Sequence, residues 1–215
     1  MSDELPDADR HPTLSEHGRR MLDHLYQHEH APVFRNRAGS RLTHDDLAQV
    51  RAYEDALNAN ESLWSLHIKP SWLGDYVART WHDVPAYRVR GAIPVAFEDI
   101  PTTSRADFAA DITPFVPDSV ALDRIINFHT SGSTGRPLVI PSHPVVPACY
   151  LPLVKRALRR VGVTVTAGRG DVAVVLLGHQ QQCFTYASVA PMLDEAGYVK
   201  LNLRSEEHTS ELQSR

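Results

Sequence analysis

Apolar residues recur at helical spacing through the first third of the chain. Thr13-Leu-Ser-Glu16 has the spacing of a capping box, and Met21, Leu22, Leu25 and Tyr26 follow on one helical face. A second capped helix is expected from Thr43, with Asp46 at the third position and Leu47, Val50 and Ala56–Leu57 following. Pro70-Ser-Trp-Leu-Gly-Asp-Tyr-Val opens a third helix, whose expected inward positions are Trp72, Tyr76 and Val77. Residues 1–12 are polar and contain proline, and read as a flexible lead.

From Val84 the pattern changes. Val84-Pro-Ala-Tyr-Arg88 and Phe97-Glu-Asp-Ile-Pro-Thr-Thr103 read as extended, because proline and the residue before it avoid the helical region. Ser104 to Asp107 repeats the cap spacing and starts a short helix around Phe108. Beyond it, strands are expected at Ile125–Phe128, Leu138–Ile140, Asp171–Leu177 and Tyr198–Leu203, with helices at Pro144–Arg160 and Phe184–Ala196. Asp-Val-Ala-Val-Val-Leu-Leu reads as a strand buried on both faces. Such alternation predicts the α/β class: a helical lead, then a mostly parallel sheet with helices on both faces.

Composition narrows the function classes. The chain has 215 residues and a net charge of −4, so it offers no electrostatic case for nucleic acid or an anionic membrane. Its apolar runs fall short of the roughly 20 residues that span a bilayer. Cys149 and Cys183 are too few for a disulfide framework; they fit a reducing cytoplasm and read as core residues. His24 and His28 have metal-ligand spacing on a helix, but no third ligand accompanies them, so they read as a solvated face and no metal site is assigned. Lys155, Arg156, Arg159 and Arg160 read as cations complementing a helix C-terminus, and Trp64, Trp72 and Trp81 as packing residues. Arg204-Ser-Glu-Glu-His-Thr-Ser-Glu-Leu-Gln-Ser214 departs from the preceding texture and matches a translated sequencing adapter, so residues 13–203 are expected to be an incomplete domain and 204–215 a foreign tail.

The stretch with most chemistry is His129-Thr-Ser-Gly-Ser-Thr-Gly-Arg-Pro137, between two expected strands. A Walker loop needs G-x-x-x-x-G-K-[ST] running into a helix, and neither this stretch nor Gly162–Gly168 has that spacing. The order Ser-Gly-Ser-Thr-Gly also fails the G-x-S-x-G nucleophile elbow. What remains is an oxyanion cradle. Gly132 and Gly135 permit positive φ, so that successive N–H groups converge; Ser131, Ser133 and Thr134 add hydroxyls, and Arg136 adds a cation. The alternative is a Gly/Ser-rich hairpin turn without a ligand.

The nine residues resemble the T-S-G-[ST]-T-G-x-P phosphate-loop signature of the adenylate-forming superfamily. Two further segments resemble its phenylacetate–CoA ligase branch: Tyr76-Val-Ala-Arg-Thr-Trp-His-Asp-Val-Pro-Ala-Tyr-Arg88 and Phe97-Glu-Asp-Ile-Pro-Thr-Thr-Ser-Arg-Ala-Asp107. The resemblance spans about residues 70–203 and implies an amino-terminal AMP-binding domain. It also implies ATP, Mg²⁺ and coenzyme A as reactants around a small-molecule carboxylic acid. Thr130, Ser131, Gly132, Ser133, Thr134, Gly135 and Arg136 would hold phosphate, with arginine where the family usually has lysine. Gly178-His179 through Phe184 falls where the family walls its acyl pocket, so His179 and Phe184 become substrate candidates, an ordinary histidine being the alternative for His179. The family's later catalytic motifs have no match before Leu203, so this polypeptide is expected to be inactive alone. Two other classes stay open: a phosphate-binding module without catalysis, and a structural α/β domain.

Overall fold

The computed structural model describes residues 5–34, 37–59, 69–130, 137–168, 170–179 and 185–203. In chain order its helices are α1 (Asp7–Arg10), α2 (Glu16–Gln27), α3 (His44–Ala59), α4 (Leu73–Asp83), α5 (Pro85–Arg88), α6 (Arg105–Ala110), α7 (Val145–Ala148) and α8 (Tyr150–Arg160). Its strands are β1 (Ile126–His129), β2 (Val139–Ser142), β3 (Val172–Gly178), β4 (Tyr186–Ala190) and β5 (Ala196–Asn202). The chain divides into two compact units, Glu61–His143 and the two flanking segments taken together. Among the described residues no helix is long and apolar enough to cross a membrane.

In the unit formed by the flanking segments, α2 lies on a three-stranded sheet of order β3-β5-β4. Met21 and Leu25 pack with Ala187 and Val189, and Leu22, Tyr26 and Val199 close around them. The Tyr26 hydroxyl donates to the Ala187 carbonyl at 3.0 Å, so the helix is pinned to β4 as well as packed on it. Gly197 permits this approach: a Cβ there would lie 3.1 Å from Met21 Sδ and 3.3 Å from Leu25 Cδ1. The α2 cap is Ser15, whose Oγ accepts from Gly18 N–H, rather than the expected Thr13. Its acidic partner is distant in sequence. Glu195 accepts hydrogen bonds from the Ser15 N–H at 2.7 Å and from the Ser15 hydroxyl. Glu195 and Asp194 hold φ near +57° and +51°, a left-handed pair that turns the chain from β4 into β5.

The sheet differs from the expected one in three ways. Only β3 and β5 run parallel; β4 is antiparallel to β5, so the sheet is mixed. Phe184–Ala196 was expected to be helical, yet Tyr186–Ala190 is a strand and Pro191–Leu193 a 3₁₀ turn. Five residues join β4 to β5, and that short return favours antiparallel pairing over a helix. The strand at Asp171–Leu177 is not buried on both faces: β3 lies at the sheet edge, with Val172, Val175, Leu176 and Leu177 exposed. A second core joins Leu42, Leu47, Val50 and Val145, with Cys149 half-buried beside it and its thiol pKa pushed up by burial. Thr43 and Asp46 cap α3 reciprocally, at 2.8 and 3.2 Å. The expected helix at Pro144–Arg160 breaks at Cys149 into α7 and α8. Lys155 pairs with Glu54 and Arg159 donates to Asn58, so two of the clustered cations tie α8 to α3. Asp7–Arg10, in the expected flexible lead, form a helical turn with Arg10 buried.

In the other unit, α4 turns Leu73, Val77 and Trp81 inward; Val77 is as expected, whereas Tyr76 and Trp72, just before the helix, are exposed. Trp81 supplies the anchor: it is buried and its Nε1–H donates to the Gly91 carbonyl at 2.8 Å. Pro85 starts α5 rather than an extended stretch, because at the first helical turn the missing N–H costs nothing. Phe97–Asp99 is likewise a 3₁₀ turn inside a segment expected to be extended. The Tyr87 ring packs 5.5 Å from Trp81 and carries the Arg90 guanidinium 5.0 Å from its centroid. Arg90 then donates to the Pro101 carbonyl at 2.8 Å, which ties Tyr76–Arg88 to the segment after Phe97. Ser104 and Asp107 form the expected capping box at the start of α6. Of the tryptophans, Trp64 lies outside the described residues, as does Cys183.

Candidate functional site

The loop between β1 and β2 rests on an antiparallel pair in the register Ile126↔Ser142, Asn127↔Pro141, Phe128↔Ile140 and His129↔Val139. β-Branched and aromatic side chains suit this pleated pair, and Phe128 opposite Ile140 gives it one apolar cross-strand contact pair. Both strands stay partly open to solvent, with Phe128, Val139 and Ile140 all exposed. Pairing continues one step beyond the strands. The Thr130 N–H donates to the Leu138 carbonyl at 3.0 Å. In return, the Leu138 N–H donates to Thr130 Oγ1 at 3.0 Å. Two bonds between the same residues therefore close the neck of the loop, and Leu138 is buried there.

This gives Thr130 a role that its sequence position does not reveal. Its hydroxyl accepts a backbone N–H and keeps one proton to donate, so it acts first as the clasp of the loop. Ser131, Gly132, Ser133, Thr134, Gly135 and Arg136 lie outside the described residues. Their composition supplies six backbone N–H groups, three hydroxyls and one guanidinium between the clasp and Pro137. That donor set, without a carboxylate, suits an anion and not a cation.

The remaining candidates are placed as follows. His179 is exposed and follows Gly178 at the carboxyl end of β3, where the Leu203 N–H donates to the Gly178 carbonyl at 2.8 Å. It therefore sits just past the end of a parallel pair, the side of α/β sheets on which ligands collect. Thr130 and His179 belong to different units, and Phe184 lies outside the described residues. The His24 and His28 rings stand 5.4 Å apart and His30 lies 5.6 Å beyond His28. His28 Nδ1 accepts the His30 N–H at 3.1 Å, which places the proton of a neutral His28 on Nε2 and leaves no free lone pair for a metal. Among the described residues no group of three or more His, Cys, Asp or Glu is placed to hold a metal ion.

A cavity of about 520 Å³ lies beside α4, lined by Tyr76, Arg79, Asp83, Tyr87, Phe108 and Phe115 among others. Its carboxylate is already engaged: Asp83 accepts from the Ser119 N–H at 2.9 Å and from its hydroxyl at 2.5 Å. The Asp83–Ser119 bonds thus make this part of the cavity wall a support of the Tyr76–Arg88 segment. Sequence reasoning missed a different cluster, Arg10, Arg19 and Arg37, because these residues are scattered along the chain and meet only once it folds. Comparison of the chain with protein-family models, with curated proteins and with solved structures gave no match.

Proposed function

We propose that His129–Pro137 is the phosphate loop of an adenylate-forming acid–thiol ligase of the phenylacetate–CoA ligase type. The observation that supports this most is the nine-residue loop itself, whose neck is closed by the reciprocal Thr130–Leu138 bonds. These two bonds hold the ends of the loop together, so the neck itself needs no ordering when an anion binds. In the proposed reaction a carboxylate oxygen bonds to the α-phosphorus of ATP, the α–β phosphoanhydride breaks, and pyrophosphate leaves. A thiol such as that of coenzyme A then bonds to the acyl carbon, and AMP departs with the bonding pair. Ser133 and Thr134 would donate to the departing phosphates, while Arg136 balances their charge. Mg²⁺ enters on the nucleotide as part of the substrate and further offsets that charge.

The test is carboxylate-dependent exchange of labelled pyrophosphate into ATP, measured on protein expressed from the full gene. Exchange that disappears when Ser133→Ala, Thr134→Ala and Arg136→Ala are combined supports the reading. ATP binding without exchange would assign the loop to a non-catalytic module, and neither activity would leave a structural turn.

A further inference from the structure

One arginine-lined cleft belongs to a different unit from the loop, and its assignment does not depend on the ligase reading. In the unit that contains α1 and α2, these two helices and residues 37–38 enclose a cleft of about 410 Å³. Gly39 makes the enclosure possible: any Cβ there would collide with the Arg10 carbonyl, and the Arg41 N–H donates to that same carbonyl at 2.9 Å. Arg37, two residues before Gly39, and Arg19, on α2, both line the cleft.

The described lining carries the guanidiniums of Arg10, Arg19 and Arg37 and the carboxylates of Asp7 and Asp23. Asp7 is shared, 2.8 Å from Arg10 and 3.5 Å from Arg37. Arg10 is only 8% exposed, so one guanidinium is committed to the wall. Arg37 also lies 5.7 Å from the centre of the Tyr26 ring, which stiffens it in place. Arg19 makes no ion pair or side-chain hydrogen bond among the described residues. Leu14 and Leu22 supply an apolar surface next to these charges. His11 is buried in the same wall, and burial pushes its pKa down, so it adds no charge near neutral pH.

The geometry points to a binding site for a small organic carboxylate. The carboxylate would take the exposed guanidinium of Arg19 together with Arg37, and its apolar body would rest on Leu14 and Leu22. Guanidiniums beside an apolar surface suit an anion with a hydrocarbon or aromatic body better than inorganic phosphate, which has no apolar part to rest on Leu14 and Leu22.

Titration of the chain with sodium benzoate, followed by NMR shifts and by calorimetry, tests the site, with inorganic phosphate and benzyl alcohol as comparison probes. Saturable benzoate binding that moves the Leu14, Leu22 and Tyr26 resonances is expected, weakened on the order of tenfold by Arg19→Ala or by Arg37→Ala. The loop variant Ser133→Ala/Thr134→Ala/Arg136→Ala should bind benzoate as the parent does, which separates this site from the proposed nucleotide loop. No saturation, equal or tighter phosphate binding, or unchanged affinity in both arginine variants that retain the parent's NMR dispersion would each overturn the proposal.

Discussion

Replacing Thr130 by valine removes one oxygen and keeps the branched shape. The oxygen lost is the acceptor of the Leu138 N–H, at 3.0 Å, and Leu138 is buried. A buried donor left without a partner costs about 1–3 kcal/mol. Thr130 itself is half-buried, so water can partly replace the lost acceptor and the cost should fall near about 1 kcal/mol. The other bond of the neck, from the Thr130 N–H to the Leu138 carbonyl, is unaffected by the substitution. The expected result is local opening: amide exchange at Leu138 should accelerate roughly five-fold, the factor that about 1 kcal/mol represents. Exchange at β5 amides should hardly change. Thr130→Ser keeps the oxygen and should restore most of the protection. If Thr130→Val leaves Leu138 exchange at the parent rate, or if serine fails as fully as valine, the clasp is not the hydroxyl and the account of the loop neck is wrong.

Other expectations follow from the unit that holds α2. Glu195→Ala removes the carboxylate that accepts from the Ser15 N–H and hydroxyl, and should lower the urea midpoint by the equivalent of about 1 kcal/mol, the usual scale of a lost helix cap. His11 has its folded-state pKa pushed below the ordinary 6.5, mainly by burial, with Arg10 acting in the same direction and Asp7, the Ala38 carbonyl and Glu195 against it. Below pH 6.5 the unfolded chain therefore takes up this proton more readily than the folded one. Stability should fall as pH drops from about 6.5 toward the lower folded-state value, and should be insensitive to this group above about 6.5. His11→Gln should flatten that part of the profile, which denaturation midpoints across pH 5–7 would report.

What the sequence makes legible here is what lies close along the chain. The Thr43/Asp46 and Ser104/Asp107 caps each close within three residues, and both form where their spacing places them. Thr13-Leu-Ser-Glu16 misleads because the acid that meets Ser15 is Glu195, at a separation of 180 residues. No local spacing announces such a partner. In the same way, Tyr186–Ala190 is a strand because β5 lies next to it, a tertiary neighbour that overrides a helical pattern. Trp72 and Tyr76 were expected inside on hydrophobicity alone, whereas Trp81 sets the phase of α4 through its bond to Gly91. The strands that flank the loop are readable from their apolar runs. The clasp is not, since a threonine bonded to a backbone amide eight positions on leaves no mark in composition.

The loop assignment meets its most direct test in pyrophosphate exchange with the protein of the full gene. Labelled pyrophosphate should enter ATP only when a carboxylic acid is present, and the combined Ser133→Ala, Thr134→Ala and Arg136→Ala variant should lose that exchange while retaining its fold. Exchange at the parent rate in the triple variant would contradict the assignment of His129–Pro137 to the phosphates of ATP.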